Sequence, residues 1–352
     1  MVGKEGADYT QTSKKPKVAE IAQISGVSPA TVSKVINGRT GVSDETRSKI
    51  ESVLAKYGFA KPLVQTKISS TVELVITEVD NNGSAELIKQ TTHYAQSLGI
   101  GITVSCTGHH SSERGQRKGV STCLRGAIDR NPLGVILLLS DITAAEEEHL
   151  HARNIPYVII DPVGQVSPET LGVGIDNWTA GLVATEYLIK LGHRKIGAIT
   201  GPLNSQSSQA RLSGFLAALR KVNVTPPPEY IKEGDYLPDE AFDAACQLLD
   251  LPTQDRPTAV FCFNDVSAVS LYRAANLRGI KLPEELSVVG FDNIYPSAYL
   301  YPALTSVTQP FDLIARKAID LILAARDGRN VQNYQILPTQ LQIRESCVPP
   351  QQ

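Results

Sequence analysis

From residue 72 onward, short apolar runs recur along the chain and leave few folds open to it. They are 72–77 (VELVIT), 101–105 (GITVS), 134–139 (GVILLL), 157–160 (YVII), 195–200 (KIGAIT), 258–263 (TAVFCF) and 286–290 (LSVVG). Each run is almost continuously apolar rather than alternating, the pattern of a parallel strand covered on both faces. Amphipathic stretches of helical length separate them, so helices must return the chain between strands. Two such series in succession predict two doubly wound α/β lobes with a cleft at the carboxyl ends of their strands. At 352 residues the chain has room for these and for a smaller domain before them. No run of eighteen apolar residues occurs, so no membrane-spanning helix and no membrane partner is expected.

The segment before residue 72 differs in charge. Between Lys14 and Lys67 stand ten basic and four acidic residues, while the whole chain carries a formal net charge of −2. A basic module on an acidic body suits a polyanion that touches the module alone. Residues 1–16 are polar and read as a disordered tail without a secretory signal. Cys106, Cys123, Cys246, Cys262 and Cys347 are scattered and form no CxxC pair, which points to a reducing cytoplasm rather than zinc or disulfides.

Three short helices are legible in the basic module. Residues 17–24 (KVAEIAQI) place Val18, Ile21 and Ala22 on one face, and Gly26 supplies a tight turn. Ser28 then stands as N-cap with Pro29 at the first helical position, where its missing N–H costs nothing. The helix 29–37 (PATVSKVIN) turns Val32, Val35 and Ile36 inward and leaves Ala30, Thr31, Ser33, Lys34 and Asn37 outward. A third helix, capped by Ser43, carries Ile50, Val53 and Leu54 inward as far as Tyr57. This is a helix-turn-helix, whose second helix enters the major groove of DNA. Its small polar outer face permits close approach to base edges, and Lys17, Lys34, Arg39 and Arg47 flank it where phosphates would lie.

Signatures of catalysis and of cofactor binding are missing. There is no G-x-x-x-x-G-K-[ST] loop, no G-x-S-x-G elbow and no dinucleotide G-x-G-x-x-G; the G-x-G at Gly172–Gly174 lacks its third glycine. His109 and His110 lie in a polar loop, and His193 follows a helix, where a cationic side chain is favoured. We therefore expect no enzyme, no metal and no cofactor.

The run VAEIAQISGVSPATVSKVINGRTGVSDETRSKI resembles the headpiece of the LacI family of bacterial regulators, with Ser25 for the family's alanine and Lys34 for its arginine. The marks IDNWTAG (175–181), LGHRKIGAITGP (191–202), RLSGF (211–215), EGDY (233–236), PTAVFCFND (257–265), LSVVGFDN (286–293) and PALTSVTQP (302–310) resemble the family's effector domain. That likeness implies a helix-turn-helix headpiece at 17–58, a hinge at 59–70 and a periplasmic-binding-protein-like domain at 71–352. The lobes would span about 71–175 with 310–337, and about 176–309 with 338–352. It also implies base-edge contact from Pro29, Ala30 and Lys34, and phosphate contact from Ser28, Thr31, Ser33 and Asn37. Residues 59–68 (FAKPLVQTKI) fall on the family's hinge helix, with Ile68 where a leucine wedges into the minor groove. The partners implied are a pseudo-palindromic double-stranded operator, a second copy of the chain and a small effector. RESCVPPQQ (344–352) carries no leucine heptads for a tetramerisation helix.

For the effector, Asp176 and Asp292 are strand-end carboxylates suited to vicinal hydroxyls, and Arg211 is a donor near the cleft. Asn264 can donate and accept at once, whereas Asp265 is read as a helix cap. Tyr236 stands at the aromatic platform of sugar-responsive members, Phe261 at one of a purine-responsive member, and Trp178 is a third stacking candidate. Ser207, Asp80 and Asn82 complete the set. The stretch after the first strand holds no aromatic residue, which favours a sugar inducer over a nucleobase or phosphoprotein corepressor.

Overall fold

The computed structural model describes residues 17–36, 41–56, 69–77, 79, 82–108, 113–162, 167 and 169–351. The expected tail, Asn37, Arg39, residues 59–68 of the expected hinge with Ile68, Asp80, His109 and His110 lie outside the described residues. The chain divides into two compact units, 1–68 and 69–352.

In the first unit, α1 (Val18–Ser25), α2 (Pro29–Ile36) and α3 (Asp44–Lys56) enclose a core of Ile21, Ala22, Val32, Val35, Ile50 and Leu54. Gly26 ends α1 with φ +69°, a left-handed conformation that lets α2 turn sharply away. Ser28 Oγ accepts from the Thr31 amide at 3.1 Å, and Ser43 Oγ from Thr46 at 3.4 Å, so both serines cap as expected. Val18, expected inside, is 37% exposed; Ser25, about two helical turns later, is buried instead.

The second unit runs β1 (Thr71–Ile76), α4 (Asn82–Ser97), β2 (Gly101–Cys106), α5 (Glu113–Arg130), β3 (Gly134–Leu138), α6 (Ala144–Ala152), β4 (Tyr157–Ile160) and β5 (Gly172–Ile175). There follow α7 (Asn177–Lys190), β6 (Ile196–Thr200), α8 (Gln206–Lys221), β7 (Ile231–Glu233), α9 (Pro238–Leu249), β8 (Ala259–Cys262), α10 (Asp265–Leu277) and β9 (Ser287–Asp292). Then come β10 (Thr305–Thr308), α11 (Phe311–Arg326), β11 (Tyr334–Leu337) and β12 (Gln340–Gln342).

Two six-stranded sheets result, in the orders β11-β5-β4-β3-β1-β2 and β12-β10-β9-β8-β6-β7. Every ladder is parallel except that between β10 and β12. The chain passes between the sheets at three places: β5 to β6, β10 to β11, and β11 to β12. This is the two-lobed α/β architecture the apolar runs imply. One continuous core unites Leu74, Ile136, Val158, Ala198, Phe215, Phe261, Phe291 and Ile319, drawn from both sheets and their helices.

All seven expected strands form. The additional ones, β5, β7, β10, β11 and β12, are short, polar or rich in glycine. Gly172 and Gly174 are bare because the Tyr334 ring lies over them; a Cβ would stand 2.5 Å and 2.6 Å from it. His193 is also corrected. It is 1% exposed, bonded to Thr258 Oγ1 and to the Val348 carbonyl at 2.9 Å each, and burial lowers its pKa, so it is a neutral anchor.

Candidate functional site

The first candidate surface is the outer face of α2. Ser28, Pro29, Ala30, Ser33 and Lys34 are exposed and Thr31 is half-buried. The Thr31 hydroxyl lies 2.8 Å from Ser28 Oγ, so cap and first turn hold one another in place. Pro29 and Ala30 offer no side-chain hydrogen bond, and only thymine methyls suit them; polar readout from this face falls to Lys34. Lys17 is exposed at the start of α1, where its amide donates to Glu20 Oε2 at 2.9 Å, and Arg47 is half-buried on α3.

The second candidate is a cavity in the larger unit, formed between the strand ends of its two sheets. Its lining comes from strand ends and the segments just after them. Gly83, Ser84 and Leu87 follow β1, Leu138 and Leu139 end β3, and Ile160 and Asp161 end β4. From the other sheet come Ser207 and Arg211 after β6, Tyr236 after β7, Asn264 after β8 and Asp292 closing β9. Gln309, Phe311 and Ile314, where the chain crosses back, complete it. Four of these lining residues have positive φ: Leu139 at 47°, Asp161 at 46°, Tyr236 at 61° and Asp292 at 103°. Each costs about 1–3 kcal/mol, and such strain persists where the surroundings over-determine a ligand site.

Arg211 is the fixed centre. It is 4% exposed, Nε donates to Asn177 Oδ1 at 2.8 Å, and Nη1 donates to the Phe263 carbonyl. Its guanidinium carbon stands 3.5 Å from the Phe291 ring centroid and 5.7 Å from that of Tyr236. Two carboxylates face it. Burial pushes Asp161 up to about 6 and Asp292 up to about 7, while Arg211 pulls both back, and Asp161 adds to the rise at Asp292. Gln309 Nε2 donates to Asp292 Oδ1 at 2.5 Å and ties that carboxylate to the crossover. One cation thus serves two acids, one from each sheet, and leaves acceptor capacity for a ligand's hydroxyl or amino groups.

Sequence profiles divide the chain in the same way. One for bacterial regulatory proteins of the lacI family matches residues 17–62, and one for the periplasmic binding protein-like domain matches 185–347. The HTH-type transcriptional repressor PurR of Vibrio atlanticus (strain LGP32) is 32% identical over 312 residues, 87% of this chain and 90% of the relative. The repressor CytR of Escherichia coli (strain K12) is 32% identical over 334 residues, 93% and 95% of the two chains. The chain belongs to the LacI family.

Solved members share the fold along nearly its full length. A complex of the transcriptional regulator CelR with cellobiose is 27% identical, covers 94% of this chain and 99% of its own, and superposes with a TM-score of 0.70. The lac repressor dimer bound to operator and the anti-inducer ONPF is 25% identical, covers 95% and 100%, and gives 0.69. The protein is therefore a DNA-binding transcriptional regulator of LacI type, with a helix-turn-helix headpiece and a two-sheet effector domain. No described helix is long and apolar enough to cross a membrane.

Within this LacI-family cleft, Ser207, Arg211, Tyr236, Asn264 and Asp292 converge on one cavity. Other candidates fall elsewhere. Phe261 is fully buried, 4.9 Å from Phe263 in the β8 core, and cannot stack on a ligand, because the strand it sits in is covered on both faces. Asp176 caps α7 by accepting from the Thr179 amide at 2.9 Å, and with Trp178 it lines a neighbouring groove. Asn82 opens α4, but Gly83 and Ser84 beside it line the cavity. Asn264, not Asp265, is the N-cap of α10: its Oδ1 accepts from the Ser267 amide at 2.9 Å, and its Nδ2 donates to the Tyr236 carbonyl. Asp265 instead accepts from Ser306 Oγ at 2.6 Å and from the Ile294 amide at 3.0 Å, and so braces the turn after Asp292.

Asp161, Gln309 and Phe311 escaped the sequence reading. Asp161 follows YVII directly, so the strand-end rule that singled out Asp292 would have found it too. Gln309 sits inside TSVTQP, a family mark whose strand is too polar to stand out as one.

Proposed function

We propose that this LacI-family regulator is a homodimeric repressor of a carbohydrate-utilisation operon, released from a pseudo-palindromic operator by a sugar inducer. The observation that carries the sugar reading is that Asp161 and Asp292 line one cavity together with Arg211. Paired carboxylates accept from vicinal hydroxyls while the guanidinium donates to ring or hydroxyl oxygens. The CelR structure holds cellobiose in a domain of this fold, which agrees with the reading. A second copy of the chain suits the exposed apolar patch of Tyr295, Tyr299 and Tyr301, which are 75%, 78% and 95% exposed. Headpiece contacts are assigned to Lys17, Ser28, Pro29, Ala30, Thr31, Ser33, Lys34 and Arg47. Because the cleft is built from both sheets, a ligand that prefers one lobe angle shifts operator affinity through the chain crossings.

A thermal-shift screen of mono- and oligosaccharides against purine and pyrimidine bases and nucleosides tests this. Stabilisation by a saccharide alone is expected. Stabilisation by a base alone, with tighter operator retention, would replace the inducer reading with a corepressor one.

A further inference from the structure

We infer that the effector is longer than one sugar ring, and that its second glycosyl unit lies against Trp178 in the groove beside the cavity. This rests on the saccharide reading above. The groove adjoins the cavity, because Asp161 and Ser207 line both. A ring held at Arg211 thus lies next to the groove, one pair of shared side chains away. Trp178 is the only tryptophan of the chain, stands in the first turn of α7, and is 43% exposed. An indole face left in solvent beside a polar site suits the apolar C–H face of a pyranose.

The groove also carries polar partners for the sugar's edge. Among the described residues Asp176 caps α7 through Oδ1, and its second oxygen can accept from a hydroxyl. The groove is also lined by β11, where Ile336 is 65% exposed and offers apolar surface to a ring. A two-ring ligand would thus touch the first sheet through Asp161 and Ile336 and the second lobe through Trp178 and Ser207. It would gain contacts to both lobes that a monosaccharide lacks.

The test uses the full-length protein, with D-glucose, D-galactose, cellobiose, maltose, lactose, trehalose and sucrose as probes. Affinity is read by calorimetry, and Trp178 by its intrinsic fluorescence. At least one disaccharide is expected to bind about tenfold or more tightly than either of its component monosaccharides and to shift the emission. Trp178→Ala should weaken that disaccharide about tenfold and leave the monosaccharide within twofold, while Trp178→Phe keeps most of the disaccharide affinity. A monosaccharide bound as tightly as every disaccharide, or a Trp178→Ala variant that changes both affinities alike or neither, overturns the second subsite and leaves the saccharide reading standing. Binding of no saccharide overturns both.

Discussion

Replacing Asp292 by asparagine removes a charge that the apo cleft holds against its environment. Burial raises the Asp292 carboxyl from 3.8 to about 7. At about 1.36 kcal/mol per pKa unit, the ionised group costs the fold about 4 kcal/mol above pH 7. The sign follows from the raised value: the unfolded chain gives up this proton more readily, so stability present below about pH 4 is lost as pH rises towards 7. Asparagine keeps the shape and removes the titration. The pull of Arg211 and Gln309 is already contained in that net value; what stands against the gain is the amide donor that asparagine brings to a site built for an acceptor, about 1–3 kcal/mol. The net expectation is about 1–3 kcal/mol of added stability at pH 8, a rise in Tm of about 2–8 °C that disappears towards pH 4. Calorimetric melts of apo wild type and Asp292→Asn across pH 4–8 read this directly. Saccharide affinity should fall at least about thirtyfold in the same variant, because a charged acceptor is lost. A Tm at pH 8 equal to or below wild type, or a difference that does not vary with pH, would refute the reasoning and make Asp292 a stabilising partner of Arg211.

Gly201→Ala would place a Cβ 2.0 Å from Tyr236 Cζ and push that ring towards the cavity; effector affinity should fall more than tenfold by calorimetry, with operator binding in the absence of effector retained. Lys34→Ala should weaken operator binding by about 1–3 kcal/mol, read by gel shift, and relax discrimination at the base it contacts rather than weakening all sequences equally. Ser28→Ala removes the cap that bonds the Thr31 amide at 3.1 Å and should cost the headpiece about 1 kcal/mol, read as a lower-temperature headpiece transition with the effector-domain transition unmoved.

The lobes are legible in the sequence because buried parallel strands cannot disguise themselves: YVII and TAVFCF have no polar face to present. The edges are not, because GVGI is shaped by Tyr334 some 160 residues later in the chain, a partner that no local window contains. The cleft divides in the same way. Arg211, Tyr236 and Asp292 sit in motifs whose local sequence fixes a helix turn, a loop and a strand end. Phe261 and Asp176 sit in equally recognisable motifs, yet cover on both faces of the sheet buries the first and a cap occupies the second. Local pattern determines which segment reaches the cleft, while the tertiary fold decides which side chain points into it.

The central claim, that saccharide in the Asp161–Arg211–Asp292 cleft releases DNA from the α2 face, is tested most directly by operator anisotropy. A labelled operator duplex selected from genomic fragments is titrated with the full-length protein, with and without the saccharide that gives the largest thermal shift. Operator affinity should fall at least tenfold with saccharide present, and the duplex should lower saccharide affinity by the same factor, since coupling is reciprocal. Asp292→Asn should bind the duplex as wild type does and not respond to saccharide. An operator affinity unchanged or raised by every bound saccharide would contradict the account.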